Sequence, residues 1–426
     1  MILRADFNGS SFKFKNMKDE ILDLIVLEEK RQKETLMMIP SENYTYREVR
    51  EAEGSFLIHK YAEGYPGKRY YQGMEFVDQI EMVAIERAKK LFKVPFANVQ
   101  PYSGSPANLA VYFSLLNPGD TVMGLSLSSG GHLTHGHNVS ITGKYFKSVQ
   151  YEISETTNSG SFWFNFEKIK ETVKTRKPKI IFTGATAFPR IFPWQEFAQI
   201  ADETGAYLVA DISHIAGLVA GGVHESPVPY VHIVTTTTHK TLRGPRGAII
   251  MVTEKGLSKD SDLDKKINRA VFPGLQGGPH LHTIAGIAIA LKKAGEPEFK
   301  EYARQVIKNA KILAAILNKD GFVLVTGGTD NHLILVDLRN FNLDGKTAAE
   351  ALEKEGIIVN KNTVPNDLTS PALTSGIRLG TPALTARGMK EAEMEIIGKM
   401  FKEVLLGKKS VKEKVFSLCQ RFPVPD

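Results

Sequence analysis

Between residues 178 and 253 the apolar positions fall in short unbroken runs and do not alternate with polar ones. Lys179–Thr183, Tyr207–Asp211, Val231–Thr238 and Ala248–Val252 are such runs. Runs of this length without alternation predict strands covered on both faces, as in a mainly parallel sheet flanked by helices. Trp194–Thr204, between the first two, has helical spacing, which gives a strand–helix–strand order. Elsewhere the period is helical. Ile21, Leu22, Leu24, Ile25 and Leu27 among charges predict an amphipathic helix from Lys18 to Lys33, and Glu75–Phe92, His282–Lys293 and Glu298–Asn318 predict three more. From about residue 300 the character shifts to short strands, Phe322–Val325, Leu333–Leu338 and Gly356–Val359, between helices such as Lys346–Glu355. The pattern predicts an α/β protein in three parts. Residues 1–40 form an arm, without clear period over its first 16 residues, and a helix. Residues 41–300 form a large domain around a mainly parallel central sheet. Residues 301–426 form a smaller C-terminal α/β domain.

In sheets of this kind ligands sit at the carboxyl ends of the strands. Asp211, His214 and Lys240 fall there. Lys240 follows Val234 and four threonines, and five β-branched residues in a row hold the backbone extended. The run stops at His239-Lys240 and a Gly/Pro turn carrying Arg243 and Arg246. A lysine that can lose its proton condenses with carbonyls, of which pyridoxal phosphate is the commonest biological example; an ordinary lysine at a strand end fits the same pattern. A carboxylate closing an apolar strand needs a partner if buried, and either a protonated ring nitrogen or the next turn would serve Asp211.

Ser103-Gly104-Ser105-Pro106 precedes the run LAVYFSLL, which places Ser105 at a helix N-cap and Pro106 at the first helical position. Two hydroxyls and free N–H groups there make an anion site, although a bare cap gives the same pattern. Ser128–Gly136 is a Gly/His turn; without neighbouring carboxylates or cysteines, His132 and His135 read better as flat rings against an aromatic cofactor than as metal ligands. Residues 59–73 hold four tyrosines and Lys68-Arg69, an ordered loop whose aromatics and cations need partners in its own subunit or in a neighbour's ligand site. Arg378 lies inside an apolar strand, where its planar fork calls for a carboxylate of a ligand or of the protein.

Composition narrows the picture. The 426 residues carry 54 Lys+Arg and 47 Asp+Glu, a net charge of +7 without a basic block interleaved with aromatics, so no nucleic-acid partner is expected. The excess serves solubility or draws small anions. Cys419 is the single cysteine, which rules out an intrachain disulfide and a cysteine metal cluster and fits a reducing compartment. No run of 18 apolar residues occurs and the first residues lack a signal-peptide core, so a cytoplasmic protein without a membrane span is expected.

The segments YAEGYPGKRYY, SGSPAN, GGHLTHG, DISHIAGLVA, TTTTHKTLRGPRG, FPGLQGGP, TDNHL, VPND and SGIRLGTPA together resemble the serine hydroxymethyltransferase family. They occur in the family's order over about residues 37 to 385, and the closing LCQRFPV is similar to the family's C-terminus. The resemblance implies a fold-type I, pyridoxal-phosphate-dependent transferase with tetrahydrofolate as cosubstrate. It would move the hydroxymethyl group of serine reversibly to the folate, giving glycine and 5,10-methylenetetrahydrofolate through aldimine and quinonoid intermediates. A homodimer with shared sites, or a tetramer of two such dimers, is implied, and no metal.

By the same resemblance Lys240 carries the cofactor, and Ser103, Gly104 and Ser105 hold its phosphate with Tyr61 and Gly278 of the other subunit. Asp211 faces the pyridinium nitrogen and keeps it protonated, while His132 stacks on the ring. Thr186 and His214 lie near the ring oxygen O3′, with Thr237 and His239 also against the cofactor. Arg378 and Ser41 take the substrate carboxylate; Glu63 and Tyr71 face the substrate hydroxyl and the folate; Leu133 and Asn362 line the pteridine pocket. Pro40, Thr186 and Phe188 depart from the family's usual alanine, serine and tyrosine, and Leu127-Ser128-Ser129 from its usual approach to GGH. The alternative is a related pyridoxal-phosphate aldolase or hydroxymethyltransferase for another β-hydroxy or α-methyl amino acid. A non-catalytic protein on the same fold is disfavoured by the intact set Lys240, Asp211, Arg378 and Glu63.

Overall fold

A computed structural model describes residues 19–155 and 162–426. The arm expected over residues 1–16, and Lys18, lie outside the described residues.

Seven strands build the main sheet: β1 (Phe96–Asn98), β2 (Thr121–Leu125), β3 (Lys147–Tyr151), β4 (Ile180–Thr183), β5 (Tyr207–Asp211), β6 (Ile233–Thr237) and β7 (Ala248–Val252). Their spatial order is β1-β7-β6-β5-β4-β2-β3. All neighbours from β6 to β3 pair in parallel; β7 runs antiparallel to both β6 and β1. Every residue of β4, β6 and β7 is buried, as their unbroken apolar or β-branched composition requires. Two cores account for this. One packs Ile181, Leu208, Val234 and Met251 against the helices Glu75–Phe92 and Leu281–Ala294; the other packs Ile180, Phe182, Val209 and Ile250 against Gly104–Leu115.

A second sheet carries β8 (Val323–Leu324), β9 (Leu333–Asp337), β10 (Asn360–Asn362) and β11 (Gly376–Gly380) in the order β8-β9-β11-β10, all antiparallel. Its core joins Ile334, Val336, Ile377 and Leu379 to the helices Pro297–Lys319 and Glu391–Leu405. Leu36 and Met38 belong to this core, and Leu36–Met37 pairs in parallel with Ile357–Ile358. The run Gly356–Val359 therefore pairs with the N-terminal segment and not with the four-stranded sheet, and Phe322–Val325 shortens to two paired residues before a tight turn. Arg387 sits where these segments meet and donates to the carbonyls of Lys33, Thr35, Cys419 and Phe422.

Local starts differ from expectation at three places. The first described helix spans Glu20–Glu34, capped by Asp19 Oδ1 accepting from Ile21 N at 2.9 Å, and buries none of its residues. Residues 59–73 contain a small hairpin, Gly64–Tyr65 against Lys68–Arg69. The helix expected to open at Pro106 opens at Gly104, with Ser103 at the cap, because the Ser103 carbonyl already accepts from Ala107 N at 3.1 Å. Pro106 is thus the third helical residue, and the Ser103 side chain makes no capping bond.

Candidate active site

The carboxyl ends of β5 and β6 open on a cavity of about 520 Å³. Lys240 enters from just past β6. Behind it Thr238 N donates to Gly247 O and Gly244 N donates to Thr238 O, so the Gly/Pro turn folds back and leaves the lysine at the strand tip. Its Nζ donates to Thr237 Oγ1 at 2.9 Å. Burial drives the Lys240 amine down to about 8; the Asp211 charge opposes this, while Arg378 and Arg246 add to it. At pH 7 an amine of pKa 8 is about 10% neutral, against roughly 0.03% for an ordinary lysine, so the nucleophilic form is about 300-fold enriched.

Asp211 closes β5. Its Oδ2 accepts from Asn108 Nδ2 at 2.9 Å and lies 3.2 Å from His135 Nε2; its Oδ1 accepts from Ser213 N at 3.0 Å. His135 Nδ1 accepts from the His132 backbone N–H, which leaves the His135 proton on Nε2, facing Asp211. Burial would raise the Asp211 carboxyl, but His135, His132 and Asn108 outweigh it and hold the group well below the ordinary carboxylate range. A buried fixed anion therefore faces the cavity at the end of the sheet. His132 is held by Thr134 Oγ1 at 2.7 Å, and burial, with His135 and Lys240, lowers it to about 4, so it is a neutral flat ring.

Ser103, Gly104 and Ser105 bring the start of the Gly104–Leu115 helix to the same cavity. A Cβ on Gly104 would stand 2.8 Å from the Thr237 methyl, so only glycine lets this turn close on β6. Opposite lies Arg378, from the middle of β11. Its Nη1 donates to Thr186 O at 2.6 Å and its Nε to Asn360 Oδ1 at 3.1 Å. Among the described residues it forms no ion pair, and burial lowers it to about 10. Ser41, Thr186, Asn362, His214, Thr237 and His239 complete the sequence-selected residues on the lining. The Thr186 hydroxyl donates to Gly130 O and Gly131 O, so it ties the turn that carries His132. Phe188 is away from the lining, in an aromatic cluster with Trp163, Phe164 and Phe192.

Tyr61, Glu63, Tyr71, Leu133 and Gly278 do not line this cavity. Four of them gather elsewhere: the Tyr61 and Tyr71 rings are 5.2 Å apart, Tyr71 Oη is 3.4 Å from Glu63 Oε2, and a Cβ on Gly278 would stand 2.9 Å from the Tyr61 ring. Their loop is anchored by buried Arg69, which donates to Asp78, Glu81, Ala62 O and Gly64 O. Tyr61 and Tyr71 remain more than 40% exposed, and Leu133 is likewise exposed beside His132.

The structure adds residues that the sequence did not single out. Asn108 bridges Asp211, Thr134 and Thr235; Ser213 and Glu42 line the cavity; His332 pairs with His214. Asn108 stood within SGSPAN and His332 within TDNHL, but nothing local marks either as part of a site.

A family profile described as "Serine hydroxymethyltransferase" matches residues 14–401. Curated proteins named serine hydroxymethyltransferase align over most of the chain. The one from Acidothermus cellulolyticus is 54% identical over 417 residues, 95% of each chain. The Wolbachia pipientis wMel protein is 51% identical over 425 residues, 98% of each. The Methanosarcina barkeri protein is 53% identical over 411 residues, 95% of this chain and 97% of its own.

Proposed function

The chain belongs to the serine hydroxymethyltransferase family, and from that premise we propose how its residues divide the work. It is a fold-type I transferase that interconverts serine and glycine with tetrahydrofolate. The alternative substrate class, another β-hydroxy or α-methyl amino acid, is not favoured by relatives of this identity and coverage.

The cavity fits pyridoxal phosphate in chemistry. It offers an amine lowered to about 8, a buried anion, a neutral flat ring at His132 and a helix start with two hydroxyls. Lys240 would hold the carbonyl carbon, Asp211 the ring nitrogen, His132 one ring face, and Ser103, Gly104 and Ser105 the phosphate. When bound, the cofactor supplies a carbonyl for the substrate amine and a conjugated ring that takes up the electron pair of the broken bond.

The protein's own part is orientation and proton handling. Arg378, unpaired by any described carboxylate, takes the carboxylate of serine with Ser41 beside it, and this fixes the bond to be broken relative to the ring plane. Asp211 keeps its charge because three donors face it, so a proton on the ring nitrogen stays there. Lys240 would hold the cofactor between turnovers, and its lowered amine would serve the exchange of product for substrate. Thr186, through its carbonyl, steadies the Arg378 guanidinium; Asn362 on the lining borders the folate side, with exposed Leu133 outside the lining reaching the folate from beside His132. Glu63 and Tyr71, with Tyr61 and Gly278, act on the site of a second copy of the chain: Glu63 carries the proton of the serine hydroxyl oxygen, and Tyr61 and Gly278 add to the phosphate cradle.

The observation that carries this reading is one lowered-pKa amine sharing a cavity with a fixed anion and an arginine that has no carboxylate partner among the described residues. Absorption spectra of the purified protein with glycine, before and after tetrahydrofolate, test it. A visible chromophore whose long-wavelength band is intensified by the folate is expected. A colourless protein, or a coloured one indifferent to folate, overturns the reading.

A further inference from the structure

Two buried imidazoles meet at the cavity edge. His214, just past β5, places its Nδ1 3.3 Å from Nε2 of His332, which directly precedes β9. The rings are inclined by only 25° with centroids 5.5 Å apart. His214 is on the cavity lining, so with Nδ1 engaged its Nε2 is the nitrogen open to a ligand. His332 is fully buried, and among the described residues its Nδ1 has no hydrogen-bond partner.

The segment that carries His332 is fixed on both sides. Asn331 Nδ2 donates to Phe188 O and Asn331 Oδ1 accepts from Leu333 N, while the His332 carbonyl accepts from Thr381 N. The backbone at His332 is therefore fixed, and the fully buried ring is enclosed by its surroundings.

Burial lowers both imidazoles, His332 to about 3 and His214 well below its ordinary value; the nearby cations Lys240 and Arg378 act in the same direction on each. The titratable and charged groups facing the pair are Lys240, Arg378, His132 and His224. Both rings are thus neutral, and a single proton lies between the facing nitrogens. If His214 Nδ1 carried it, His332 would have to carry its own proton on Nδ1, a buried N–H without an acceptor. Stranded N–H groups are the rarer and costlier outcome in protein interiors. If His332 Nε2 carries it, only a lone pair is left bare, and His214 must hold its proton on Nε2.

We propose that His332 is a positioning residue: its Nε2–H donates to His214 Nδ1 and so fixes His214 as an Nε2–H donor toward an anionic oxygen of the cavity's ligand. The ligand oxygen is of the phenolate or carboxylate class, since an N–H donor among Lys240 and Arg378 suits an anion and no cation. The inference rests on the proposed cofactor site, and it goes beyond it by assigning the tautomer and the residue that sets it.

The test uses the holoenzyme and three variants. His332→Phe removes the donor, His332→Gln keeps an amide donor of similar reach, and His332→Glu supplies an acceptor that would reverse the tautomer. Without the fixed His214 Nε2–H donor to the ligand's anionic oxygen, kcat/KM for serine is expected to fall about tenfold or more in His332→Phe. The pH at which the holoenzyme's visible absorbance changes should shift with it. His332→Gln should recover most of the loss, and His332→Glu should not. Equal losses in all three with an unmoved absorbance titration, or wild-type behaviour of His332→Phe, overturn the proposal. Should His332→Phe fail to fold, the contrast of Gln with Glu decides: equal values overturn it. A wild-type protein without visible absorbance would fail the cofactor reading itself, which keeps the two failures apart.

Discussion

At the scale of single residues, the site is a set of charges kept apart from water. Lys240 shows the cost. The folded chain holds its amine at about 8 against 10.5 in the reference state. Between those values the unfolded chain binds more protons, so stability rises with pH from about 8 to 10.5, and below pH 8 the full penalty remains. In cofactor-free protein, Lys240→Met is therefore expected to be more stable at pH 7 by about 1–2 kcal/mol, less than the full shift implies because Lys240 keeps some solvent contact. Urea melts at pH 7 and pH 10 check this: the gain should shrink at the higher pH, and a gain that grows with pH would contradict it. Arg378 gives the complementary case. Two of its donors are tied to Thr186 O and Asn360 Oδ1, which aims the rest of the fork at the cavity. Lysine would retain the charge but neither tie nor the second parallel donor. Arg378→Lys is expected to raise KM for serine by about 10–100-fold with a smaller effect on kcat; steady-state kinetics with an unchanged KM would refute the assignment.

At the scale of elements, the turn from Gly130 to His135 is held by contacts no side chain can relax. A Cβ on Gly131 would stand 1.9 Å from Leu125 O and 2.6 Å from Leu125 C, both backbone atoms of β2. Gly131→Ala must therefore displace the turn, and with it His132 and the His135 bond to Asp211. A stability loss of about 2 kcal/mol or more is expected, together with faster loss of bound cofactor on dialysis; retention of both melting temperature and colour would show the turn to be slack. The same element scale explains what the sequence made legible. The run from Val231 to Thr238 predicted a buried strand because the χ1 restriction of its β-branched residues is local to each residue, and β6 agrees within two residues at the start and one at the end. Glu75–Phe92 was legible for the same reason, since helical period needs no distant partner. The pairing of Leu36–Met37 with Ile357–Ile358 was not, because a two-residue strand made by opposite ends of the chain leaves no periodic trace. The helix start at Gly104 was misplaced by the strength of the Ser-Pro signal, where the backbone bond from Ala107 N to Ser103 O decides. His135 shows the limit for the site. Its place in a Gly/His turn pointed to a flat ring against a cofactor, and only the fold brings its Nε2 to Asp211.

At the scale of the whole molecule, one chain holds two unequal parts of the proposed machinery. The Lys240 cavity has the amine, the anion and the arginine, while Tyr61, Glu63, Tyr71 and Gly278 form a separate group outside it. Large apolar side chains also lie open on the surface: Phe56 is 89% exposed, Tyr70 74%, Phe76 69% and Phe113 57%. The Glu20–Glu34 helix also leaves Ile21, Leu22, Ile25 and Val26 exposed. Exposed apolar side chains of this kind are what a partner surface would cover. A two-fold dimer would cover them with the same surface of a second copy and carry each Glu63 to the other chain's Lys240. Complementation tests this arrangement directly. Lys240→Ala chains and Glu63→Gln chains, each impaired alone, are unfolded together and refolded as a mixture. About half of the dimers should then be mixed, and each mixed dimer has one site with both residues intact and one with neither, so about a quarter of wild-type activity should return. If Glu63 instead serves the cavity of its own chain, no mixed dimer contains an intact site and the mixture stays at the level of its parents.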